Sequence, residues 1–145
     1  MTNDTFAFEE LDISSPTTRR YIVEEYGLAG FTWVYLSHHF NLEPADFHPD
    51  LIEALEDESE ELLEVIGFRG SAKSTYASLA YLLYIALEHK FDFILPISDT
   101  GTQMKLNIAN MRYELENNAM IIKDYGVTFN ADKNWSDSSL QLLNG

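Results

Sequence analysis

A chain of 145 residues that is 46% hydrophobic, with nine Phe and eight Tyr, can build one domain with a real core and is too apolar to stay disordered. No apolar run approaches the roughly 20 residues of a membrane-spanning helix, Met1-Thr2-Asn3-Asp4 lacks the basic and apolar regions of a signal peptide, and the absence of cysteine excludes disulfides and thiolate metal sites. The net charge of −15 is concentrated in the first 66 residues, which hold 16 of the 24 acids and only Arg19 and Arg20 as bases; such a surface repels a phosphate backbone and makes the chain a poor candidate for gripping nucleic acid by itself.

Taken in order, residues 1–14 read as a loosely docked tail, and Ser15-Pro16 offers a helix start with proline at the first helical position. Gly27 offers the stop. Between them Tyr21, Ile22 and Tyr26 are expected to face a core while Arg19, Arg20, Glu24 and Glu25 stay in water. A second helix over 30–39 follows from the i, i+3, i+4, i+7 spacing of Phe31, Val34, Tyr35 and His38, with a strand as the rival reading given the aromatic content. His38 and His39 form a pair of metal-ligating residue types, but adjacent helix positions point to different faces, so packing or solvent exposure is expected and no zinc site. After a loop over 41–48, Pro49-Asp50 opens a short helix carrying Leu51, Ile52 and Leu55. The acidic run 56–61 reads as a solvated loop leading to a first strand over 62–66.

The next nine residues are Gly67, Phe68, Arg69, Gly70, Ser71, Ala72, Lys73, Ser74 and Thr75. A strand feeding a glycine turn feeding a helix aims backbone N–H groups at one point, with the positive end of the helix behind them. The stretch reads as a phosphate-binding loop, in which Lys73 is expected to reach the β- and γ-phosphates and the Ser74 hydroxyl to coordinate Mg²⁺. It departs from G-x-x-x-x-G-K-[ST] at Ala72, which stands where the second glycine belongs. Residues 73–89 are apolar nearly all round, as a helix buried between a sheet and a second layer would be, and 91–97 read as a short buried strand of the parallel kind. The predicted class is therefore α/β, with a right-handed crossover between the strands.

Ser98-Asp99-Thr100-Gly101 opens another helix, whose stripe of Met104, Ile108, Met111 and Leu115 is core. A short helix over 119–125 ends at Gly126, and strands are expected over 127–129 and 139–143. Asn144-Gly145 is a hairpin signal with no returning strand after it.

These residues together resemble the N-terminal ATPase part of a bacteriophage terminase large subunit, the motor that packs DNA into proheads. The resemblance spans roughly residues 40–145. It rests on Phe47-His48-Pro49 before a short helix, on the loop with its internal Arg69 and its alanine before Lys73, on Ile97-Ser98-Asp99-Thr100 followed by Gln103, and on Tyr125-Gly126, Trp135 and Asn144-Gly145. It implies an ASCE-type P-loop NTPase core: a parallel sheet flanked by helices over 41–145, preceded by an N-terminal tail and helical segment over 1–40. The sheet would be incomplete and the chain truncated before the Walker B acid, the catalytic glutamate and the nuclease domain. Arg69 would sense or stabilise the γ-phosphate. Asp99, which superficially follows a Walker B-like run, is read instead as a helix cap. Phe47-His48 lies where several motor ATPases place an adenine-recognising segment, and a helix-entry staple by Phe47 is an equal reading.

The expected function is thus the ATP-binding part of a packaging ATPase, with ATP and Mg²⁺ as cofactors and Arg69 and Lys73 as catalytic residues. Its implied partners are double-stranded DNA through the intact motor, the small terminase subunit, the portal and other copies in a ring. A soluble protein of the host cytoplasm, without a membrane, is expected. A small P-loop kinase is the alternative enzyme, disfavoured because only Arg112 is available downstream for a lid; a non-catalytic acidic assembly module with a vestigial loop is the third reading.

Overall fold

Pro16, with its preset φ and missing N–H, opens α1 (Pro16–Leu36) in the computed structural model, which describes residues 11–40, 42–59, 62–126, 135–136 and 138–142. The helix breaks at Gly27, where φ 54 and ψ −132 suit only glycine. The break frees the Leu28 N–H, which donates to Glu56 Oε1 at 2.8 Å, and a Cβ on Gly27 would stand 2.3 Å from that oxygen. The two expected helices are therefore one broken rod, ending in a 3₁₀ turn, Ser37–His39.

α2 (His48–Glu56) buries Leu51, Ile52 and Leu55, as the spacing predicts. α3 (Lys73–Thr75) runs through a π-helical turn, Tyr76–Ala80, into α4 (Tyr81–Leu87). Past its end His89 takes φ 53 while the Lys90 N–H donates to the Ile85 carbonyl. α5 (Gly101–Asn117) and α6 (Ala119–Tyr125) follow, the second closed by Gly126 at φ 81. Thr100, not Asp99, caps α5: its hydroxyl accepts from the Gln103 N–H at 3.2 Å. α1 packs against α2, α4 and α6, and its Phe31 ring lies 5.1, 5.7 and 6.4 Å from the rings of Tyr35, Tyr84 and Tyr125. Ile22, Leu28, Leu36, Leu83 and Ile121 complete the inner core.

The parallel sheet expected from the sequence is absent among the described residues, and the α/β assignment is corrected to a helical fold. Residues 62–68 and 91–98 carry no regular structure, and Leu62, Ile66, Phe93 and Ile97 are 86, 87, 79 and 84% exposed. Their apolar composition marks strand propensity, but a strand exists only where a neighbour pairs its N–H and C=O groups. Here α1, α4, α5 and α6 build the core with each other, and these runs touch it mainly through Val65 and Ile94. An isolated antiparallel bridge joins Trp135 to Leu140, and the strand expected over 127–129 lies outside the described residues. No helix among the described residues is long and apolar enough to cross a membrane.

Arg19 and Arg20, expected in water, are drawn inward by acids far along the chain. The Arg19 guanidinium is 3% exposed and forks onto Asp124, with Nε–Oδ2 and Nη2–Oδ1 both 2.6 Å. Arg20 binds Glu88 at 2.6 Å and stacks over the Tyr125 ring at 4.9 Å. Tyr21 faces solvent instead.

Candidate nucleotide-binding site

The loop enters the helical run at Lys73 with a backbone that explains its residue types. Gly70 has φ 87, and Ala72, where the strict motif has its second glycine, takes the left-handed conformation at φ 56 and ψ 7. An L-residue adopts that conformation at a cost of about 1–2 kcal/mol, which is the reason a glycine is favoured at such a point. Lys73 curls back across the loop: its Nζ donates to the Phe68 carbonyl at 3.1 Å, and its Cδ would lie 3.3 Å from a Cβ on Gly67. Arg69 and Ser74 are exposed, Thr75 is half-buried and Ser71 is buried. The opening N–H groups of a helix have no intrahelical acceptor, so the run beginning at Lys73 presents donors and a positive end to the same space as the ammonium.

The segment before α2 is tied to this loop. The Ala45 N–H donates to His48 Nδ1 at 2.9 Å, which leaves the ring hydrogen on Nε2, and Nε2 donates to the Ser71 carbonyl at 3.0 Å. The rings of Phe47 and Phe68 meet edge to face at 5.9 Å. Phe47-His48 thus anchors the loop across 23 residues of sequence. Beside the anchor opens a cleft of about 1150 Å³, walled by Trp33, Phe40, Phe47, Ile52, Phe68 and Tyr76. Burial raises the Tyr76 phenol above its ordinary value, so its hydrogen stays on. Among the described residues two oxygens on the cleft wall, Thr32 Oγ1 and Ser71 Oγ, are buried without a hydrogen-bond partner.

Of the residues assigned from sequence, all of 67–75 lie in one contiguous loop and helix start, while Asp99 is exposed with its carboxylate accepting from its neighbour Ser98. The strand expected to deliver the loop carries no regular structure; the helix expected after it is formed. Thr32, Trp33 and Tyr76 were not anticipated. The available signal was a threonine inside the apolar stretch 28–36 and an aromatic three residues after Lys73. Comparison with protein-family models, curated proteins and solved structures gives no match.

Proposed function

We propose that this chain binds ATP with Mg²⁺ at residues 67–75, the base entering the adjoining aromatic cleft. The observation that carries the reading is the left-handed backbone at Ala72 immediately before Lys73, beside a cleft that Ala72 itself helps to line. Lys73 would exchange the Phe68 carbonyl for phosphate oxygens, the exposed Ser74 hydroxyl would hold the metal, and the exposed Arg69 would meet the γ-phosphate. Bound Mg²⁺ would supply neutralisation of charge on the phosphates. The wider role, the ATPase of a DNA-packaging motor with portal, small subunit and ring partners, rests on the terminase resemblance of the sequence.

A charge-assisted hydrogen bond contributes about 1.5–3 kcal/mol, so Lys73→Ala should weaken Mg-ATP binding by roughly tenfold or more in a calorimetric titration. Unchanged affinity would overturn the assignment.

A further inference from the structure

Away from the loop, the 3₁₀ turn at the end of α1 carries two consecutive histidines whose side chains converge on one point. The rings of His38 and His39 lie 4.3 Å apart, and their Nε2 atoms stand 3.0 and 2.9 Å from the same oxygen, Oε1 of Glu114 on α5. One ligating atom from each residue falls within 4.8 Å of the others. The expectation that adjacent positions serve different surroundings fails here, because both imidazole side chains swing from neighbouring backbone positions to the one carboxylate oxygen.

We propose that His38, His39 and Glu114 form a binding site for a divalent transition-metal ion of the zinc class. Two imidazole nitrogens and one carboxylate oxygen are the donor set such ions prefer over Mg²⁺ or Ca²⁺. Metal–ligand bonds near 2.0–2.1 Å place tetrahedral ligands about 3.3 Å apart, so the two N···O separations need to open by only about 0.3–0.4 Å. The imidazoles have room to do so, their side chains being 54 and 31% exposed. Glu114, by contrast, is 1% exposed and fixed from behind. Asn118 Nδ2 donates to Glu114 Oε2 at 2.8 Å and to the Tyr35 carbonyl at 2.7 Å, while its Oδ1 accepts from Met120 and Ile121 at the start of α6. That outer contact occupies one carboxylate oxygen and leaves the other facing the histidines, the arrangement a ligating carboxylate needs. The chain's negative charge adds a favourable field for a cation. The ion would staple the end of α1 to α5, with a solvent-side position left for a fourth ligand.

The test is a Co²⁺ titration of the full chain, nucleotide-free and stripped of metal, followed by Zn²⁺ competition and thermal melting. One equivalent of Co²⁺ should develop the visible absorption of a tetrahedral site, Zn²⁺ should displace it and raise Tm, and His38→Ala and His39→Ala should each weaken binding by about tenfold or more. Glu114→Gln should abolish the signal, and the two solvent-facing histidine variants decide the matter if it does not fold. No absorption and no Tm rise would overturn the proposal in favour of a metal-free carboxylate clamp; binding undiminished in both histidine variants would overturn it by placing the ion elsewhere. Lys73→Ala should leave Co²⁺ binding intact, which separates this site from the phosphate loop.

Discussion

Replacing Asp124 by Asn tests how far the fold depends on a salt bridge reaching across 105 positions of sequence. Arg19 would keep the carbonyls of Ile13 and Ser14, at 2.6 and 3.0 Å, and lose the carboxylate that forks onto it. Tyr35, whose hydroxyl donates to Asp124 Oδ2 at 2.8 Å, would then compete with Arg19 for the single acceptor oxygen of the amide. Breaking a buried pair by removing one partner costs about 3–5 kcal/mol, because the remaining charge is left uncompensated. The retained carbonyls argue for the lower end, about 3 kcal/mol, still a large part of the roughly 5–15 kcal/mol that stabilises a domain. With a urea slope of about 2 kcal/mol/M, the unfolding midpoint should fall by roughly 1.5 M at pH 7.

The pH dependence gives a second readout of the same pair. Burial pushes the Asp124 carboxyl up, but the hydrogen bonds from Arg19 and Tyr35 and the Arg19 charge outweigh it and hold the group below its ordinary value. A carboxyl depressed in the folded state contributes stability that is present above its unfolded value, about 3.9, and is lost as pH falls through the folded value. The gap between wild type and Asp124→Asn should therefore be full at pH 7 and shrink steadily below about pH 4. A drop under about 1 kcal/mol at pH 7, in the range of an exposed pair, would refute the reasoning. So would a gap that stays constant into acid.

Two backbone substitutions test the dihedral arguments with opposite signs. Gly27→Ala meets both a φ of 54 and the Glu56 oxygen 2.3 Å from its new Cβ, and should cost about 2–4 kcal/mol in urea unfolding, combining strain of about 1–3 kcal/mol with part of the Leu28–Glu56 hydrogen bond. Ala72→Gly relieves the left-handed strain of about 1–2 kcal/mol and gives back part of it in unfolded-state entropy, so it should stabilise by about 0.5–1 kcal/mol and raise Tm by a few degrees. Unchanged or reduced stability there would mean that the loop does not hold Ala72 in that conformation.

How much of this was legible in the sequence divides along local and distant determinants. Pro16, the Gly27 break, the Leu51-Ile52-Leu55 face, the α5 stripe and the Gly126 stop were readable because each is fixed by residues within a turn or two. The glycine turn before Lys73 was legible for the same reason, Gly70 and Ala72 both taking positive φ there. The sheet was misread because runs such as 91–97 announce a preference for extended backbone without saying which segment pairs with them. Arg19 and Arg20 were misplaced because helical spacing assigns arginine to water, while their partners Asp124 and Glu88 lie 105 and 68 positions away.

Glu114 was missed for a different reason, and its signal was present. It lies three positions after Met111 and four before Asn118, on the edge of a stripe whose Ile108, Met111 and Leu115 are buried as the sequence predicts, Met104 being only half-buried. A carboxylate beside a buried stripe cannot remain ionised there without donors, so its position alone implies partners that the local pattern does not contain. Asn118, one turn on, supplies one donor. The side of Glu114 that Asn118 does not reach is where the His38 and His39 side chains converge, and that convergence is the one feature of the cluster for which the sequence carried no sign. Backbone spacing alone should accordingly not send adjacent histidines at the end of a helix to different surroundings, since both rings can swing to one acceptor.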